Sequence, residues 1–212
     1  MSTAREEILE RIRTVLRGAP PYETPEGPGY RRVAEGTREE ILALFMERAG
    51  DYRSEVRRVP LEAARSEIEE ILALRGVQHL VIPAGFPDKW RPRGADILAE
   101  DAGVIENGVL DTAEGVLTTC AVAIALTGTV VLDGGAGQGR RALTLLPDYH
   151  LCVVQAEQIV ELVPEAIAQL QPAAEARRPL TFISGPSATS DIELTRVEGV
   201  HGPRTLDVLV VG

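Results

Sequence analysis

Three residue types that often carry chemistry are scarce in this 212-residue chain. It has two cysteines, three histidines and a single lysine, Lys89. Cys120 and Cys152 stand far apart and no Cys-x-x-Cys occurs. A four-thiolate iron–sulfur or zinc site within one chain is therefore excluded. Two buried, reduced thiols are the expectation, with Cys120 in the apolar run Leu117–Leu126. A Schiff-base mechanism has only Lys89 to use, and the absence of Gly-Lys-Ser/Thr excludes a Walker-type phosphate loop. Aromatics make up 4% of residues, so aliphatic side chains must fill the core, as in helix-covered parallel sheets. No apolar stretch reaches membrane-spanning length, and the N-terminus carries acid and arginine in helical rhythm without an apolar signal region. The expected location is the cytoplasm. The formal charge of −10 argues against broad contact with nucleic acid or anionic membrane.

What is present is a regular alternation. Residues 3–17 read as an amphipathic helix with Ile8, Ile12, Val15 and Leu16 on one face, followed by a Pro/Gly-rich stretch to residue 36. This gives an N-terminal extension over 1–36 and a domain over 37–212. Thr37 with Glu40 forms a capping-box pattern opening a helix over Thr37–Ala49. Further helices fit Leu61–Arg75, closed by Gly76, and Ala156–Gln171. Strands fit Arg53–Val59, His79–Ile82, Gly103–Ile105, Gly115–Ala125, Thr129–Leu132, His150–Val154, Leu180–Ser184 and Leu206–Val211. Such alternation implies an α/β fold with a mostly parallel sheet covered on both faces.

Three segments have the residue types for chemistry. The first runs from Thr127-Gly128-Thr129 into Asp133, Gly134, Gly135, Ala136, Gly137, Gln138, Gly139, Arg140 and Arg141. Successive amides in a glycine loop can form an anion nest, and Arg140 or Arg141 adds forked donors for a carboxylate. The loop does not fit Gly-x-Gly-x-x-Gly. The second is Ser184-Gly185-Pro186-Ser187 running to Ser190, Asp191 and Glu193. Ser190 with Glu193 reads as a capping box, and a helix N-terminus there would suit an anion. The third is the turn His201-Gly202-Pro203, where His201 could donate to an oxyanion. His79 and His150 read as structural. A triad of Ser187, His201 and Asp191 lacks Gly-x-Ser-x-Gly, and Ser187 follows a proline. Glu106, Glu114 and Glu193 are the candidate carboxylate nucleophiles, and the spacing of Asp191, Glu193 and His201 is not diagnostic of a metal.

Taken in order with Leu146-Pro147-Asp148-Tyr149-His150, these three segments resemble the lactate-utilisation protein C (LutC, YkgG-type) family of LUD-domain (DUF162) proteins. The resemblance implies a three-layer αβα sandwich like that of the NagB/RpiA/CoA-transferase group. It implies an accessory role in oxidation of L-lactate to pyruvate, beside sister proteins that hold the iron–sulfur clusters, with none on this chain. The family often has an acidic residue just before Thr-Gly-Thr, where this chain has Leu126. The expected site is an anion pocket of Gly134–Arg141, Ser184–Ser187 and the His201 loop, with catalytic roles for His201, Asp191 and Glu193. Its ligand is a small carboxylate or other anion, its cofactor is open, and no metal is assigned. Two rivals stand beside it: an enzyme in its own right of the sugar-phosphate isomerase, CoA-transferase or folate cyclo-ligase type, and a scaffold subunit without a ligand.

Overall fold

The computed structural model describes residues 4–17, 29–100, 103–190, 196–198 and 202–212. The chain divides into two units, one ending at Tyr30 and the other spanning Arg31–Gly212. The first holds helix α1 (Ala4–Leu16), none of whose residues is buried. The second contains α2 (Arg38–Asp51), β1 (Glu55–Val59), α3 (Ala64–Arg75), β2 (His79–Ile82), β3 (Asp96–Ala99) and α4 (Asn107–Leu110). It continues with β4 (Gly115–Thr119), β5 (Val122–Ile124), β6 (Thr129–Leu132), β7 (Tyr149–Gln155), β8 (Ile159–Val160) and α5 (Val163–Glu175). β9 (Thr181–Ile183), β10 (Ala188–Ser190), β11 (Arg196–Glu198) and β12 (Thr205–Val211) complete it.

The main sheet has the order β1-β12-β7-β4-β2-β3, with every pair parallel. Side chains alternate across a strand with period two. On β7, Cys152 and Val154 join the cluster that includes Leu42 and Phe45 of α2, whereas Leu151 and Val153 join Ile68 and Leu72 of α3. On β12, Leu206, Val208 and Val210 face the first cluster, and Leu209 and Val211 the second. The sheet is thus buried on both faces. α2 starts as the sequence predicts: the Thr37 hydroxyl accepts from Glu40 N, and the Glu40 carboxylate accepts from Thr37 N. α3 ends at Gly76, whose φ of +71° is the left-handed cap expected of glycine.

Several expectations are corrected. The α2 side of the sheet is also covered by a second sheet, β8-β5-β6-β9, itself packed under α5 through Ala166 and Leu170. The apolar run at 115–125 divides: β4 belongs to the main sheet and β5 to the second. Gly103–Ile105 is not a strand; the outer strand is β3, paired with β2. The helix expected from Ala156 begins at Val163, because Pro164 favours a helix start and Ile159–Val160 pairs with β5 instead. Ser190 ends β10, which pairs antiparallel with β11, Ser190 opposite Arg196, and the helix expected after it falls outside the described residues.

One buried polar cluster ties the sheet to α3. Asp207 on β12 is 2% exposed. It accepts Arg75 Nε at 2.8 Å and Nη2 at 2.7 Å, and the Tyr149 hydroxyl at 2.8 Å. Burial and the Asp207 carboxylate push the Tyr149 pKa up, so it stays a phenol and donates. Removing the carboxylate would strand a buried phenol and an arginine. Asp207→Ala should lower the unfolding free energy by roughly 3 kcal/mol. Urea denaturation measures this, and an unchanged midpoint would refute the role given to Asp207.

Candidate functional site

The second and third chemistry-bearing segments do converge. Ser187 N donates to Pro203 O at 2.8 Å, and a Cβ on Gly202 would lie 3.6 Å from Ser187 Cβ. Together they wall a cavity of about 270 Å³. Arg141, Thr144 and His150 from the stretch around β7's start complete its polar lining, and Phe182, Ile183 and Leu206 its apolar lining. The volume lies at the small end of ligand pockets. Its place in the fold is the amino-terminal end of β7 and β12, where His150 and Leu206 are each second in their strand.

Each lining group has a local cause. β9 is an edge strand, paired only with β6, so the chain after it is free to turn at Gly185. Gly185 has φ of +84°, and a Cβ there would sit 2.4 Å from Tyr52 Cβ. Tyr52 is thus a neighbour that sequence reading missed, since the close approach exists only in the tertiary fold. Ser184 Oγ lies 2.7 Å from Thr129 Oγ1, which lies 2.8 Å from Thr127 Oγ1. The Thr-Gly-Thr turn therefore supports Ser184 from behind and does not line the cavity. Gly128, at φ of +56°, presses on the end of α2: a Cβ would fall 2.4 Å from the carbonyl carbon of Arg48.

Arg141 and His150 dominate the electrostatics. Arg141 Nη1 donates to Thr144 O at 2.7 Å and Thr144 Oγ1 at 3.1 Å, and the guanidinium has no carboxylate partner among the described residues. Desolvation lowers its pKa, although the residue as a whole is exposed and the desolvation is partial. His150 is 1% exposed, and its Nε2 lies 2.8 Å from Thr118 Oγ1. Burial, helped by the positive charge of Arg141, pushes its pKa down to about 3. It is a neutral ring that can donate or accept according to tautomer. Among the described residues that line the cavity, Arg141 is the one formal charge, set among hydroxyls and a neutral imidazole, an arrangement that can hold a small anion.

These elements coincide with a known family. The LUD domain family matches residues 32–211, nearly the whole chain. The chain belongs to the LUD domain family. A protein named Lactate utilization protein C from Deinococcus radiodurans is 44% identical over 209 residues, covering 99% of this chain and 96% of that protein. One of the same name from Shouchella clausii is 23% identical, covering 87% of this chain and 84% of that protein. The crystal structure of a DUF162 family protein from Deinococcus radiodurans is 40% identical, with a TM-score of 0.73, over 84% of this chain and 99% of that one.

Other members of the expected site lie elsewhere in this LUD domain. Arg140 does not reach the cavity. It bonds Glu100 Oε1 at 3.0 Å, Asn107 Oδ1 at 3.2 Å and the carbonyl of Ile105, fixing the loop before α4. The glycine loop does not line it either. Gly135 N is taken by Asp133 Oδ1, Gly137 N by Ala84 O, and Gln138 N and Gly139 N by Gly135 O. Those four amides are thus taken up by the protein itself. Glu114 accepts from Gln78 N and His79 N, and Glu106 precedes α4; neither lines the cavity. Lys89 stands over the Trp90 ring at 4.8 Å. Cys120 and Cys152 are buried free thiols, the first with its pKa pushed up by its hydrogen bond to Cys152 and by burial. His201, Asp191 and Glu193 lie outside the described residues. Among the described residues no group of three or more potential metal ligands occurs, and no helix is long and apolar enough to cross a membrane. Sequence reading took His150 as structural; only the fold brings it beside Arg141.

The shift of His150 has a definite sign. The folded chain resists protonation down to about pH 3, whereas the unfolded ring takes a proton near 6.5. Between those values the unfolded state binds more protons, so stability falls as pH falls. The slope should be about 1.4 kcal/mol per pH unit from this group. His150→Gln should show a shallower loss between pH 6 and 4 in denaturant titrations; an identical slope would overturn the assignment.

Proposed function

We propose that this chain serves lactate utilization as an accessory component of L-lactate oxidation to pyruvate, carrying no iron–sulfur cluster of its own. The cavity at Arg141 binds the carboxylate of a small hydroxy or keto acid. The observation that carries this is the guanidinium of Arg141, oriented by Thr144 and lining one cavity with Ser184, Ser187 and His150, with no carboxylate partner among the described residues. By contrast, Arg140 is held by Glu100 and Arg178 by Asp133. The names of the relatives supply the metabolic setting, and the cavity volume fits a three-carbon acid with room for water. On this reading the serine hydroxyls solvate the rest of the acid, and neutral His150 bonds its hydroxyl or keto oxygen. His201, next to the cavity-lining Gly202, is the second donor. The partners are the iron–sulfur proteins of the same system, which receive the electrons in the cytoplasm.

Isothermal titration with L-lactate, D-lactate and pyruvate tests the reading. At least one should bind saturably, and Arg141→Ala should weaken it by about tenfold or more, or about 1.4 kcal/mol. Arg140→Ala should leave the affinity within about twofold of the parent, because its guanidinium serves a different loop. Equal affinity in the parent and Arg141→Ala would sink the carboxylate assignment.

A further inference from the structure

The glycine loop that the Arg141 cavity leaves unused occupies the opposite edge of the main sheet. The connection out of β2 leads to β3 on one side, and the path out of β4 leads to β7 on the other. The crevice between the carboxyl ends of β2 and β4 is therefore the switch point of this parallel sheet, the place where open α/β sheets bind ligands. The loop bridges those two ends: Gly137 N donates to Ala84 O after β2, and Thr119 N at the end of β4 donates to Gly137 O, both at 2.8 Å. His150 and Gln155 stand five residues apart on β7, which puts this edge roughly 17 Å from the Arg141 cavity.

A trough runs across this edge in two halves. One, of about 410 Å³, is lined by Thr119, Asp133, Gln138, Gln155 and Gln169. The other, of about 530 Å³, has walls built mostly of glycine, from Gly85, Gly103, Gly134, Gly135 and Gly139, with the side chains of Glu100 and Val104 at its border. Gly85 and Ala136 border both halves. Gln138 is 6% exposed, and its Oε1 accepts Asp133 N at 2.6 Å, which turns its Nε2 away as a donor. Gln158, by contrast, is spent on the fold: it accepts Gln155 N and donates to Cys120 O.

The charges around the trough are already paired. Arg178 bonds Asp133 at 2.8 Å and Arg140 bonds Glu100 at 3.0 Å. The amides of Gly135, Gly137, Gln138 and Gly139 are bonded as well, so neither guanidinium and none of these four amides is free to meet a phosphate. What remains is a slot faced mostly by glycine peptide groups, and beside it a pocket of side-chain amides with one carboxylate. The first suits a flat ring and the second suits hydroxyl groups: Asp133 takes one donor on each oxygen, from Gly135 N and Arg178, and keeps a second lone pair on each for a ribose hydroxyl. We propose that the carboxyl edge of the main sheet binds an uncharged nucleoside, its base in the glycine-walled half and its ribose against Asp133, Gln138 and Gln169. Because peptide groups offer shape without a side-chain code, the four bases bind with similar affinity.

Isothermal titration of the full chain with adenosine, guanosine, cytidine, uridine, ribose and AMP tests this. The nucleosides should bind saturably and within about tenfold of one another, with ribose weaker than all of them by about tenfold or more. Ala136→Phe, an exposed position at the junction of the halves, should abolish binding. Gln169→Ala, on the exposed face of α5, should weaken it several-fold with the thermal midpoint unchanged. Arg141→Ala should leave nucleoside binding intact, which separates this site from the carboxylate cavity. No saturable nucleoside binding, ribose binding as tightly as adenosine, or unaltered binding in both trough variants would overturn the proposal. AMP binding about tenfold more tightly than adenosine would overturn the uncharged assignment in favour of a phosphate site.

Discussion

β7 and β12 lie in the middle of a wholly parallel sheet, and both of their faces must be kept from water. Parallel strands cannot be joined by tight hairpins, so the connections that satisfy this demand are long and carry their own structure. On one side the cover is α3. On the other it is α2 together with a second sheet, whose far side needs α5 in turn. The layering of the domain follows from that one requirement. So does the position of its two clefts, which open where the strands end and their faces need no cover.

The polar groups are placed by the same constraint. A carboxylate within such a sheet must be fully partnered, and Asp207 takes bonds from Arg75 and Tyr149. Glu161, 6% exposed, accepts from Glu35 N, Gly36 N and Arg31, pinning the approach to α2. Those backbone bonds hold its pKa below the usual carboxylate range. Against this background Arg141 stands out as a cation that lines a cavity and has no carboxylate partner among the described residues. The contrast between satisfied and unsatisfied charge identifies the cavity more sharply than its shape does.

Much of the frame was legible in the sequence, and the particular residues show why. Thr37 and Glu40 announce α2 because a capping box is a local device, complete within four residues. Gly76, β2 and β6 are read from equally local signals. The failures are non-local. Two residues of β8 carry no periodicity, and their strand character comes from pairing with β5. Ser190 reads as a local cap, and its place at the end of β10 is set by pairing with Arg196. The glycine loop suggested an anion nest, but Gly137 and Gly139 are required by close approach: a Cβ would fall 2.7 Å from Thr119 Oγ1 or 2.5 Å from Leu143 Cδ1. In the candidate site, Ser184–Ser187, Arg141 and Gly202 were legible. His150 and Tyr52 were not, because their roles depend on neighbours far along the chain.

The order of strands also has a consequence for how the molecule is made. β12 is the last strand in sequence, yet it lies between β1, the first, and β7. Until it emerges from the ribosome, β1 has no neighbour in the sheet, and both β1 and β7 present open edges to solvent. Closing that gap joins residues about 150 positions apart, Glu55 with Asp207 among them. Contacts of such sequence separation form slowly and late. The nascent chain therefore waits with a divided sheet, and its exposure to misassembly and its demand on chaperones are greatest just before synthesis reaches the final strand.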